Sequence, residues 1–152
     1  MPGLEDLYRE IILDHYRTPR NRGELDPPAV KVDGHNPLCG DEITVYLAVD
    51  GDGDDAIVTD VKIGGQGCSI SQSSASMMTK AIMGKPIGEI NALMRRFKSM
   101  MGIDSIELED GDESLDLGEL EALQGVVKFP VRIKCAVLSW NTLANAISEA
   151  TA

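Results

Sequence analysis

Residues Ile43–Ile70 read ITVYLAVDGDGDDAIVTDVKIGGQGCSI, and their pattern decides the fold. Ile43, Val45, Leu47 and Val49 alternate with Thr44, Tyr46 and Asp50, the period of a half-buried strand. Gly51-Asp52-Gly53-Asp54-Asp55 is a hairpin connection. It mimics a calcium loop by composition, but the closing glutamate is missing, since that place falls at Lys62 or Gly64. Ile57, Thr59, Val61 and Ile63 give the returning strand, which runs through three glycines into Cys68. Beyond it, Ile70, Ser74, Met77, Met78, Ala81 and Ile82 form a helical stripe that Gly84 and Pro86 stop. Ser69 with Gln72 three residues on fits a capping box, so Cys68 should sit just outside the first turn. Backbone N–H groups and the helix dipole there favour thiolate over thiol. A buried structural cysteine is the plain alternative. A phosphate loop is rejected, because no Gly-Lys-Ser/Thr and no G-x-G-x-x-G register follows.

Working outward, Leu4, Leu7, Tyr8, Ile11, Ile12 and His15 predict an amphipathic helix over 4–17, ended by Pro19. His15 lies on its apolar stripe, where hydrogen-bonded packing is the commoner role and metal ligation the rarer one. Residues 20–28 read as loop, 29–33 as a short strand, and His35–Asp41 as a turn carrying Cys39. That turn opens the second strand and Cys68 closes the third, so a hairpin brings Cys39, Asp41 and Cys68 to one end of the sheet. Ile87, Ile90, Leu93, Met94, Phe97 and Met101 mark another helix, and Leu117, Leu120 and Leu123 a short one before Gly125. A final helix, entered through Phe129-Pro130, carries Cys135 between Lys134 and Ala136 in its early turns, with Arg132 nearby. The predicted fold is α+β: a three-stranded antiparallel sheet with helices packed on one face, an N-terminal helix and a long C-terminal helix.

The 152 residues fit a single domain over 1–152, 43% apolar and only 4% aromatic. No basic-then-apolar leader and no membrane-length apolar run is present, which places the chain in the cytoplasm with no membrane partner. A net charge of −11 argues against nucleic acid. Nine of the acids fall between Lys98 and Lys128, where there is no Lys or Arg; without them 16 acids face 14 bases. This acidic insertion, at about 103–125, reads as a solvated excursion rather than a docking surface.

Three cysteines cannot all pair, and in a reducing compartment they favour free thiols or a metal. With Asp41 they make a four-ligand set, Cys39, Asp41, Cys68 and Cys135. Such a set suits Zn²⁺ or iron, the carboxylate being its most exchangeable member.

The chain resembles the U-type iron–sulfur assembly proteins. The resemblance runs through Leu7-Tyr8-Arg9-Glu10, Asp14-His15-Tyr16, Pro19-Arg20-Asn21, Asn36–Asp41, Gly67–Ser71 and Arg132–Leu138, nearly the whole length. IscU-type scaffolds carry His before the last cysteine. Here the position is Lys134, which when protonated has no lone pair for a metal. That difference, with the insertion, looks like the SufU-type branch. The resemblance implies a zinc-dependent sulfurtransferase that accepts persulfide sulfur from a SufS-type cysteine desulfurase and feeds downstream iron–sulfur assembly machinery. It further implies Zn²⁺ held by Cys39, Asp41, Cys68 and Cys135, with Cys39 the sulfur acceptor once partner binding frees it. Arg132 matches a basic residue that steadies the site or the sulfur, a plain surface arginine being the alternative. The rival readings are a scaffold assembling a labile [2Fe–2S] cluster on the same residues and a structural zinc domain.

Overall fold

A computed structural model describes residues 4–37, 40–103, 108–109, 111–112 and 115–151. Cys39 and the acids at 104, 107, 110 and 113 lie outside the described residues. The elements run α1 (Leu4–Arg17), β1 (Val30–Asn36), β2 (Asp41–Asp50), β3 (Ile57–Gln66), α2 (Ser69–Ile82), α3 (Ile87–Met100), a 3-10 segment (Gly118–Lys128) and α4 (Pro130–Ala150). The strands form one antiparallel sheet, as expected, and their order is β1-β2-β3. A 3-10 turn, Gly53–Asp55, joins β2 to β3. Among the described residues no helix is long and apolar enough to cross a membrane.

The strands are longer than the alternation predicts at the end where the cysteines converge. Strand β1 continues through Asn36, which pairs with Asp41, so most of the expected turn is ladder. Strand β3 likewise runs through Gly64 and Gly65 to Gln66. At the other end the phase changes. Ala48 faces Asp60 and Val49 faces Val58, which leaves Thr59 as the extra residue of a bulge. Val58, Val61 and Ile63 therefore point inward while Ile57 and Thr59 are exposed, against the simple alternation.

Helix α4 lies along β1 and β2, and α2 against β3, all on one face of the sheet; α1 packs over α2 and the 3-10 segment. One core joins Ile43, Val45 and Leu47 of β2 to Met78 of α2, Phe97 of α3 and Trp140 of α4. Phe97 and Trp140 stack with centroids 4.8 Å apart, which adds about 0.5–1.5 kcal/mol beyond their burial. Helix α4 crosses β1 so closely that a Cβ on Gly34 would collide with the Thr142 hydroxyl.

Helix α2 is buried on nearly every side, with Ser71 to Thr79 buried without a break, where the spacing predicts a single stripe. Small side chains let neighbours approach, and their hydroxyls are spent internally. Ser74 Oγ donates to the Ala136 carbonyl of α4 at 2.5 Å, and Thr79 Oγ1 to the Ser76 carbonyl at 2.7 Å. On α1 the packed face is Tyr8, Ile11, Ile12 and His15, whereas Leu7, placed on that face by its spacing, is 56% exposed.

The described part of the acidic segment is tied to the body at several points. Leu117, Leu120, Ala122, Leu123 and Val126 are core residues, and Gly125 lies inside the 3-10 segment instead of ending it. Asp112 is buried against Arg95, with Nε to Oδ2 at 2.7 Å, and Glu109 pairs with the same guanidinium at 2.6 Å. Glu119 meets Lys80 at 2.6 Å and His15 Nε2 at 3.3 Å.

Replacing Gly34 by Ala is expected to cost about 1–3 kcal/mol in urea unfolding, and adding Thr142→Ala to recover part of the loss by removing the hydroxyl it strikes. A second expectation concerns His15, whose pKa is lowered from 6.5, chiefly by burial and against the pull of Glu119. The neutral ring is the form the fold favours, so its contribution is present above pH 6.5 and lost as pH falls below it. Glu119 is itself lowered from 4.5, mainly by Lys80, so it stays charged in that window. The urea midpoint should thus fall between pH 6.5 and 4.5, and His15→Gln should flatten the slope; an unchanged slope would refute this role for His15.

Candidate metal centre

Three described side chains meet where the sheet runs into the helices. Asp41 begins β2, Cys68 caps α2, and Cys135 lies in the second turn of α4. Their ligand atoms all lie within 4.8 Å of one another. A zinc ion with bonds of about 2.3 Å to sulfur wants ligand atoms about 3.7 Å apart, so small rotamer changes suffice to close the site. Two thiols and a buried carboxylate form a donor set that fits zinc or iron.

The carboxylate is built in. Asp41 is 1% exposed, and its Oδ1 accepts the Cys68 backbone N–H at 2.8 Å while Oδ2 lies 3.6 Å from Cys68 Sγ. Cys68 itself is therefore the helix cap, correcting the Ser69–Gln72 box: Asp41, from another strand, satisfies the N–H that a local cap would have left open. Gln72 N donates to the Cys68 carbonyl at 3.1 Å and Ser71 Oγ to the same oxygen at 3.1 Å, which fixes the first turn. Gly67 makes room for the carboxylate, because a Cβ there would strike both Asp41 Oδ1 and Ser71 Oγ.

The fourth expected donor, Cys39, lies outside the described residues, two positions before Asp41. Cys135 is buried at 1% exposure, with Sγ 3.9 Å from the Val131 carbonyl. Arg132 is exposed and lines a cleft of about 690 Å³ with Ser69 and Ile70, the residues after Cys68; it is not among the clustered donors.

His15 is packing and not a ligand. Its Nδ1 lies 2.8 Å from Ser76 Oγ, more than two helical turns beyond Cys68 on α2. Ser76 Oγ accepts the Arg20 N–H at 2.8 Å and so gives its own proton to Nδ1, leaving the ring N–H at Nε2 facing Glu119. Arg22 was missed in the sequence reading: its guanidinium donates to Gln72 Oε1 at 3.3 Å and to the Gly65 carbonyl, at the end of α2 that holds Cys68. A loop arginine gives no periodic signal, and its role comes from the segment Asn21–Gly23 pairing with Ile63 along the edge of β3.

A small antiparallel sheet and four helices that bring two thiols and a carboxylate to one point define an α+β domain with a candidate metal site. The chain belongs to the NifU-like N-terminal domain family, which includes IscU and SufU and whose profile matches residues 7–136. It is 49% identical over 147 residues to the zinc-dependent sulfurtransferase SufU of Bacillus subtilis, covering 97% of this chain and 93% of that one. It is 40% identical to the iron–sulfur cluster assembly scaffold protein IscU of Streptococcus pyogenes, over 96% and 86% of the two chains. Among solved structures it is similar to a protein of Fervidobacterium islandicum named as an iron–sulfur cluster assembly scaffold for the SUF system, with TM-score 0.77, 35% identity and coverage of 95% and 99%. A NifU-like N-terminal structure from Brucella abortus shares the fold at TM-score 0.78 and 24% identity, covering 97% and 96% of the two chains.

Gly67→Ala is expected to leave the sheet and helices intact by circular dichroism yet weaken zinc binding about tenfold or more in a chelator competition, since the new methyl displaces Asp41 from the cluster. Native zinc affinity in that variant would show that Asp41 does not need its present position.

Proposed function

We propose that this chain is a zinc-dependent sulfur-transfer protein of iron–sulfur cluster biogenesis. It takes persulfide sulfur onto Cys39 from a SufS-type cysteine desulfurase and passes it to downstream assembly machinery in the cytoplasm. One observation carries the reading: Asp41, Cys68 and Cys135 form a clustered thiol-carboxylate set on a chain close in sequence to a zinc-dependent sulfurtransferase.

On this reading Cys39 joins those three as the fourth ligand. Bound zinc would keep the thiols deprotonated and shielded from oxidation. Asp41 begins β2, Cys68 caps α2 and Cys135 lies in α4, while Cys39 falls in sequence between β1 and β2. The thiolate of Cys39 attacks the outer sulfur of the donor persulfide; the donor's sulfur–sulfur bond breaks, and the donor leaves as a thiolate. The exchange consumes no electrons and needs no added reductant. Arg132, exposed at the start of α4, would steady the site or the transferred sulfur.

A second reading is a scaffold for a transient [2Fe–2S] cluster. The same donor set and the kinship to IscU favour it, while Lys134, in place of a histidine ligand, weighs against it. Protein purified without added metal should contain about one zinc per chain and raise the turnover of a cysteine desulfurase. A brown protein with visible absorption and no such stimulation would favour the scaffold. Cys39→Ala should accept no labelled sulfur from the persulfidated desulfurase, and acceptance at the native rate would remove Cys39 from its assigned role.

A further inference from the structure

Two cations flank Cys135 in sequence, and the fold turns them onto different clefts. Arg132 looks onto the cleft shared with α1 and the start of α2. Lys134, also exposed, lines a groove of about 550 Å³ whose opposite wall is His35, Asn36 and Pro37 from the end of β1. Asn36 pairs with Asp41 across the ladder, and its carbonyl accepts the Gly40 N–H at 2.9 Å. The groove therefore runs from Lys134 to the base of the connection that carries Cys39. No acidic side chain is among its described lining, on a chain of net charge −11. At the rim Asn141 is held by Lys98, with Nζ to Oδ1 at 2.6 Å.

We propose that Lys134 is a positioning residue for sulfur transfer, its ammonium holding the anionic persulfide of a protein donor in this groove beside the Cys39 connection. The proposal rests on the sulfur-transfer reading above. A persulfide ionises more readily than a thiol, and its attacker is a thiolate, so the reaction must bring two negative sulfurs together. Their repulsion is strong away from bulk water, and an acidic protein adds to it. A fixed cation offsets that repulsion without being consumed. Lysine suits the place because its ammonium cannot join the metal's ligands. As Cys39 sulfur bonds to the outer persulfide sulfur, the donor's sulfur–sulfur bond breaks and its electron pair leaves on the donor thiolate. Two negative charges enter and two remain, and no proton or electron is exchanged with Lys134.

The test is single-turnover transfer of labelled sulfur from a persulfidated cysteine desulfurase to the zinc-loaded full chain. Lys134→Met should slow the transfer step about tenfold while zinc content and the dissociation constant for the desulfurase stay within about twofold, and Lys134→Arg should recover most of the rate. Native transfer by Lys134→Met would overturn the proposal, as would a rate loss matched by zinc loss or failure of Lys134→Arg to rescue. If the unsubstituted protein itself accepts no sulfur, the sulfur-transfer reading fails and the role of Lys134 with it. That outcome is distinct from a wild-type chain that transfers while Lys134→Met transfers equally well.

Discussion

The bond from the Cys68 backbone N–H to Asp41 Oδ1, 2.8 Å long and partly buried, ties the start of β2 to the start of α2. A carboxylate with 1% exposure must be compensated, and the free N–H at a helix N-terminus is among the best groups to do it. The same contact brings the carboxylate's second oxygen within 3.6 Å of the Cys68 sulfur. One interaction thus serves as helix cap, strand anchor and donor placement. It exists because residue 67 has no side chain to obstruct it.

Helix α2 carries that arrangement into the middle of the molecule. It is covered by α1, by α4, by β3 and by the 3-10 segment, so it cannot shift without disturbing each. Its buried serines explain how a helix so enclosed remains stable: each short hydroxyl leaves space for a neighbour and finds a carbonyl or a ring nitrogen. The acidic segment adds a clamp on one side. Arg95 holds Asp112 and Glu109, while Lys80 holds Glu119, so much of the described negative charge is compensated by cations of the body.

The antiparallel sheet, the four helices and the convergence of Asp41 and Cys68 were legible because each rests on local periodicity and short hairpin geometry. Cys135 was the harder residue. Nothing local brings the second turn of α4 to the sheet's end, and the family resemblance supplied what spacing could not. The misreadings share one cause. The bulge at Thr59, the exposure of Leu7, the full burial of α2 and the docking of the acidic segment all depend on partners distant in sequence. The capping of α2 is the clearest case, since the local Ser69–Gln72 pattern was overridden by a carboxylate 27 residues earlier.

On the proposed reading, the placement of the donors bears on which ligand would be held least firmly. By hardness alone the carboxylate is the weakest partner for a thiophilic ion. Yet Asp41 is buried and bonded to the backbone of Cys68 at the cap of α2, and Cys135 lies within α4. A ligand's readiness to leave depends on the rigidity of its support as well as on its chemistry. On the proposed reading, the burden of exchange falls on Cys39. In the proposed transfer its release would supply the nucleophile, while Asp41, Cys68 and Cys135 would hold the metal.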